Sequence, residues 1–202
     1  MKVFVSILLL CSCLSSLCAQ NTPNRWNKTR QTFEMPAYNL KWDLSEISEW
    51  RVADSNVLPD NMLFCGAAED VVVSLIAIKK EGNTSIADGA EDFINGFLST
   101  ALAETKIFPG LNRGTTSYKK CHFMFKDAIR FKAIEKVKDA RLGTDKAVKF
   151  VYGGYVFEKD GMVFIPTVLL PFQYIEDYGD AVMELFFQKL SYINASKELH
   201  KK

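Results

Sequence analysis

The hairpin written between residues 146 and 171 constrains this chain more than any other stretch. Asp160-Gly161 is a two-residue turn suited to positive φ, and folding the flanks back around it sets Lys159 opposite Met162, Phe157 opposite Phe164 and Tyr155 opposite Pro166. The intervening positions set Val156 opposite Ile165 and Tyr152 opposite Leu169. Side chains alternate faces along a strand, so both faces of this hairpin are apolar. Val71-Val72-Val73-Ser74-Leu75-Ile76-Ala77-Ile78 is likewise apolar on both parities. Such strands need material packed on each side, which argues against an open sheet with one wet face. Pro166, having no N–H to donate, is expected at an edge or bulge, and Gly153-Gly154 marks a bulge or a close packing neighbour.

Two helical stretches supply the cover. Ala90, Phe93, Ile94, Phe97, Leu98, Ala101 and Leu102 recur at spacings of three and four behind an Asp88/Glu91 capping pair, which predicts an amphipathic helix over 88–104. A second helix is predicted over 177–193, its stripe formed by Tyr178, Ala181, Val182, Leu185, Phe186, Leu190 and Ile193. Met183 and Phe187 widen its apolar arc beyond what one sheet contact requires. They are therefore candidate partner contacts, to be covered by the segment 26–35 or by a second protein. Short strands are expected between Tyr38 and Val52, and a loop over 108–117. Residues 118–138 read as one long strand with a bulge near Asp127-Ala128, or as two strands. The expected fold class is α+β, a three-layer αβα sandwich with a central antiparallel sheet.

The N-terminus reads as an export leader over 1–19. Lys2 supplies a positive start, Val3 to Leu10 an apolar core, and Leu17-Cys18-Ala19 a small-residue cleavage site before Gln20. Leu10-Cys11-Ser12-Cys13 keeps open a lipoprotein alternative anchored at Cys13. A polar tether is expected over 20–31, one domain over 32–195 and a frayed tail over 196–202. Cleavage at Ala19 leaves Cys65 and Cys121, a candidate disulfide in an oxidising compartment or two buried thiols. Asn27, Asn83 and Asn194 head glycosylation sequons, relevant only in a eukaryotic host. The chain has 25 Lys and Arg against 24 Asp and Glu, and removing Lys2 with the leader balances them. That balance gives no sign of long-range attraction to nucleic acid or to anionic lipid. After the leader no apolar run approaches the roughly 20 residues that span a bilayer, and a monomer is expected.

Two stretches carry a family resemblance: Val57-Leu-Pro-Asp-Asn-Met-Leu-Phe, and Lys159-Asp-Gly-Met-Val-Phe in the hairpin. With the element order they make residues 33–193 resemble the PsbP-like superfamily, which includes photosystem extrinsic subunits, exported bacterial lipoproteins and the Ran-release factor. Pro59, Asp60 and Asn61 match a sequence of the Ran-release branch, but Met62 and Leu63 stand where that branch has Gln and Glu. The resemblance implies a central antiparallel sheet between helices, usually without enzymatic activity. It does not carry over the Ran partner.

The chemistry-bearing residues point the same way. His122 and His200 are the two histidines, and Cys121 and His122 are strand neighbours whose side chains face opposite ways, so they form no thiolate–imidazole pair. Glu69-Asp70, Glu91-Asp92 and Glu176-Asp177 diverge as adjacent residues, and Asp180 with Glu184 reads as a solvated helix face. No cluster has metal-ligand spacing, no cofactor fingerprint is present, and Arg113-Gly-Thr-Thr-Ser is ordinary loop composition. The sequence thus reads as an exported, noncatalytic binding or assembly-support domain with no cofactor or catalytic residue. Its partner, protein or small ligand, is unnamed. Two alternatives stay open: a small-ligand carrier with a pocket beneath the 108–117 loop, and a hydrolase drawing on Cys65, His122 or Ser and acid side chains.

Overall fold

The computed structural model describes residues 24–47, 49–58, 60–68, 71–80, 111–137, 148–171 and 180–195. The predicted leader over 1–19, the helix over 88–104, the start of the second helix at 177–179 and the tail over 196–202 lie outside them. The described elements are mostly strand, arranged in two antiparallel sheets with one α-helix. The fold is α+β. The strands therefore divide between two sheets where one central sheet is expected from the sequence.

The chain forms two compact units. The first joins strands β1 (Arg25–Asn27), β2 (Thr32–Met35), β3 (Leu40–Asp43) and the C-terminal β11 (Leu190–Tyr192) in the order β1-β2-β3-β11. Its sheet is one-sided by sequence. Phe33 pairs with Trp42, Met35 with Leu40, and Trp42 in turn with Leu190, and these side chains are buried. Arg25, Glu34 and Lys41 alternate onto the polar face, where Arg25 Nη2 lies 2.6 Å from Glu34 Oε2. The expected tether thus contains a strand at its end. The predicted second helix also stops short, at Gln188, and Leu190–Tyr192 continues as strand.

The second unit holds β4 (Arg51–Val52), β5 (Met62–Ala68), β6 (Val71–Lys79), β7 (Leu111–Phe123), β8 (Lys126–Val137), β9 (Val148–Lys159), β10 (Met162–Pro171) and helix α1 (Ala181–Gln188). The strand order is β4-β5-β6-β10-β9-β8-β7. The β9–β10 hairpin has the register expected from its turn: Lys159 faces Met162, Phe157 faces Phe164 and Tyr152 faces Leu169. Asp160 and Gly161 both take positive φ. Both faces are buried as the alternation requires. Leu75, Phe157, Phe164 and Val168 fill the face that carries α1, and Ile76, Ile129, Phe131, Val156 and Ile165 fill the other.

Pro166 departs from expectation, since β10 is a central strand between β6 and β9. The β9–β10 pairing skips Ile165 and Pro166 and resumes at Thr167–Gly154 in unchanged register. The missing N–H is accommodated by a local gap in one ladder. The gap coincides with a close approach: a Cβ on Gly154 would lie 2.6 Å from the Pro166 carbonyl oxygen and 2.8 Å from the Phe131 ring. Its neighbour Gly153 makes room on the opposite face, where a Cβ would come 2.7 Å from Met183 Sδ. One glycine admits the helix and the other an aromatic ring.

Candidate functional site

The most chemically loaded surface lies where α1 crosses β8 and β9. Arg130 and Lys132 are two apart on β8 and so share a face; Asp180 and Glu184 are one helical turn apart. The two spacings match, and the side chains interlock. Lys132 Nζ lies 2.9 Å from Asp180 Oδ1, Arg130 Nη1 3.3 Å from Asp180 Oδ2, and Arg130 Nη2 2.8 Å from Glu184 Oε1. That last contact is an ion pair by distance only, since Nη2 is buried without a hydrogen bond of good geometry. On β9 the Tyr155 hydroxyl donates to Glu184 at 2.8 Å, and the Phe123 ring stacks on Tyr155 with centroids 4.2 Å apart.

The electrostatics tie these groups to one another. Burial, reinforced by the Glu184 hydrogen bond and charge, pushes the Tyr155 phenol far above its ordinary value. Burial pulls Asp180 upward too, but the Lys132 hydrogen bond and the Arg130 and Lys132 charges outweigh it and hold the carboxyl below its usual range. The Cys121 thiol donates to the Ala128 carbonyl at 3.6 Å and is raised, chiefly by burial, despite the nearby Arg130. A raised thiol has little thiolate at neutral pH and is a poor nucleophile. Chemically the cluster can clamp a helix to a sheet and present a polar rim. Its phenol and thiol, already above neutrality when free, are raised further from the range in which a group trades protons near pH 7.

The two cysteines do not meet. Cys65 on β5 and Cys121 on β7 are free, five strand positions apart in the sheet order, about 24 Å at ordinary strand spacing. They also point to opposite faces, as the registers Cys65–Ser74–Thr167–Gly154 and Cys121–Ala128–Phe157–Phe164 require. This corrects the disulfide candidate, because bridged Cα atoms must lie within about 7 Å. Burial raises Cys65 as well.

Met183 and Phe187 are corrected in the same way. Both are 1% exposed. Met183 sits over Gly153, and the Phe187 ring stands edge-on to Tyr155 at 5.0 Å, so these residues meet the sheet and leave no surface for a partner. The helix is rotated from the predicted stripe: Met183, Phe186 and Phe187 are buried, and Leu185 is exposed. Phe186 completes the face with an edge-on contact to Trp50.

Residues 111–117 of the predicted loop belong to β7, while 108–110 lie outside the described residues. Met62 and Leu63 are half-buried where β5 begins, beside exposed Asp60 and Asn61. His122 is exposed and lies 3.1 Å from Asp127 across the β7–β8 turn. Among the described residues no group of three or more His, Cys, Asp or Glu is placed to hold a metal ion, and no helix is long and apolar enough to cross a membrane. The clamp itself was missed, because Asp180 and Glu184 read as solvated when α1 is taken alone. The available signal was the matched spacing of Arg130/Lys132 and Asp180/Glu184.

This geometry defines an α+β domain in which an antiparallel sheet, apolar on both faces, carries a helix clamped by ion pairs. No family model matches the sequence, and no curated protein matches it. The fold is PsbP-like: cyanobacterial PsbP from Synechocystis sp. PCC 6803 is similar with a TM-score of 0.55, covering 80% of this chain and 91% of that one at 10% identity. Fainter likenesses are to a Pseudomonas aeruginosa protein of unknown function (TM-score 0.35, 9% identity, 68% of this chain and 78% of that one). LpqN, involved in cell envelope biogenesis in Mycobacterium tuberculosis, is similarly distant (0.34, 14%, 70% and 77%).

Proposed function

We propose that the chain is an exported, noncatalytic binding or assembly-support domain. The observation that carries this reading is the clamp: Tyr155, Glu184, Arg130, Asp180 and Lys132 are engaged with one another between helix and sheet. A catalytic site needs an acid, base or nucleophile near its working pH and turned toward a substrate. The PsbP-like fold supports the same reading by analogy alone. The layering is three-deep in this proposal, and burial of Ile129, Phe131 and Val156 on the sheet face opposite α1 supports a covered second face.

We propose one folding domain over 32–195, with β1 of the tether added to its smaller sheet, because β3 and β11 of that sheet lie in the chain on either side of the second unit. Maturation is proposed between Ala19 and Gln20, giving a monomer. Intact-mass measurement on protein from the native host should then begin at Gln20, and a diacylglyceryl-modified Cys13 would make it a lipoprotein.

The functional test is chemical. Cys65 and Cys121 should react with iodoacetamide at neutral pH more slowly than free cysteine, and fluorophosphonate should label no serine. Fast, site-selective labelling of either kind would reinstate the hydrolase alternative. Native mass spectrometry of gently isolated protein should show a macromolecular complex, and a stoichiometric small-molecule adduct would favour the carrier.

A further inference from the structure

The β7–β8 hairpin ends in Met124 and Phe125, at φ of 50° and 62°. Two consecutive positive φ values make a type I′ turn, a position suited to Asn-Gly and unfavourable for bulky side chains. Phe125 is also 79% exposed, the most exposed of the large apolar residues described. A strained, solvent-facing phenylalanine persists only where its surroundings over-determine it. Here the flanking pairs Cys121–Ala128, His122–Asp127 and Phe123–Lys126 fix the register, and the Phe123 stack on Tyr155 anchors the strand just behind the tip.

Charge surrounds this knob. Lys119, Lys120 and Lys126 have no ion-pair partner among the described residues, whereas Asp127 is paired with His122. Three lysines against one carboxylate leave two excess positive charges between 119 and 127, in a chain balanced at 25 against 24 overall. The register sets Lys119 and Lys126 on the α1-bearing face and Lys120 on the other. Lys126 adjoins the tip, and Lys119 and Lys120 lie about 10–14 Å behind Phe123 along the strand. Positive charge on both faces, behind a protruding apolar tip, matches a planar anionic surface met end-on.

We propose that Phe125 inserts into the interface of an anionic lipid bilayer, with Lys119, Lys120 and Lys126 against the headgroups. The proposal extends beyond the noncatalytic reading and does not depend on it. The processed chain purified from its host is floated with phosphatidylcholine vesicles, with and without phosphatidylglycerol. It should bind only the anionic vesicles and be released as ionic strength rises from about 0.02 to about 0.5 M. Phe125→Ser should weaken binding about tenfold, and joint replacement of the three lysines by Gln about a hundredfold at low salt. Phe125→Gly guards against misfolding, since it relieves the strained φ: its melting temperature should rise while its binding falls.

Absence of vesicle binding at low salt, or undiminished binding by both Phe125 variants, would overturn the proposal. A photo-crosslinker at position 125 that labels an acidic protein and no lipid would transfer the tip to a protein partner, and equally overturn it.

Discussion

Two hairpins lie side by side in the larger sheet, and they turn in the same way for opposite reasons. β9 and β10 are joined by Asp160 at φ 51° and Gly161 at 76°; β7 and β8 by Met124 at 50° and Phe125 at 62°. In the first, the residues prefer the turn, so the turn sets the register. In the second the residues resist it, and the ladder running from Leu111–Val137 to Phe123–Lys126 imposes it. A local preference can be read locally. An imposed conformation is visible only once its neighbours are in place.

If β9–β10 owes its stability to strand packing as well as to its tip, the worst substitution in it should be far from Asp160. Gly154→Ala would drive a methyl into the Pro166 carbonyl oxygen and the Phe131 ring, neither of which can swing aside. Overpacking of this kind costs about 3 kcal/mol. Gly153→Ala meets the flexible Met183 thioether instead and should cost about 1 kcal/mol. Urea unfolding of the two variants measures the difference directly. Equal losses would mean that the sheet yields at Gly154 and that packing does not distinguish the positions.

Mirror substitutions at the tips give the next effect. A Cβ on Gly161 would meet nothing within 4 Å, so Gly161→Ala tests φ alone and should lower stability by about 1 kcal/mol. Phe125→Gly should move stability the other way by a similar amount, about 1 kcal/mol, because it removes a side chain from a left-handed position. Thermal melts of the pair should therefore shift in opposite directions. A Phe125→Gly variant no more stable than the parent would show that the second turn stores no strain, and the contrast between the hairpins would collapse.

The same contrast explains what was legible in the sequence. Asp160-Gly161 gave up the hairpin register, the two apolar faces followed by alternation, and the opposed directions of Cys121 and His122 followed from β period alone. The β7–β8 turn fell three residues before the expected interruption because Met124-Phe125 carries no turn chemistry. Helix α1 is Ala-Val-Met-Glu-Leu-Phe-Phe-Gln, apolar on more than one side, so periodicity alone permitted two rotations. Gly153, which admits Met183, and Tyr155, which receives Phe187, selected the one observed. Pro166 in a central strand and the clamp of Arg130, Lys132, Asp180 and Glu184 depend on pairings between residues far apart in the chain. No local window contains both partners.

The smallest expected effect concerns that clamp, and it asks whether the ladder beneath the Phe123 anchor depends on charge. Asp180 is held below its ordinary value of 3.8, its burial outweighed by the Lys132 hydrogen bond and by the Arg130 and Lys132 charges. A carboxyl whose folded pKa is depressed adds stability that is complete above the unfolded pKa and is lost as pH falls through the folded one. With the side chain 40% exposed, solvent screening discounts the gain to a few tenths of a kcal/mol. Asp180→Asn should therefore be slightly less stable than the parent from neutral pH down to about pH 4, and the two should converge below it. Chemical denaturation across that range measures the gap. A gap that is constant to the lowest pH would assign Asp180 a role through shape and hydrogen bonding, leaving packing of Phe123, Tyr155 and Phe187 to hold the helix on the sheet without help from its charge.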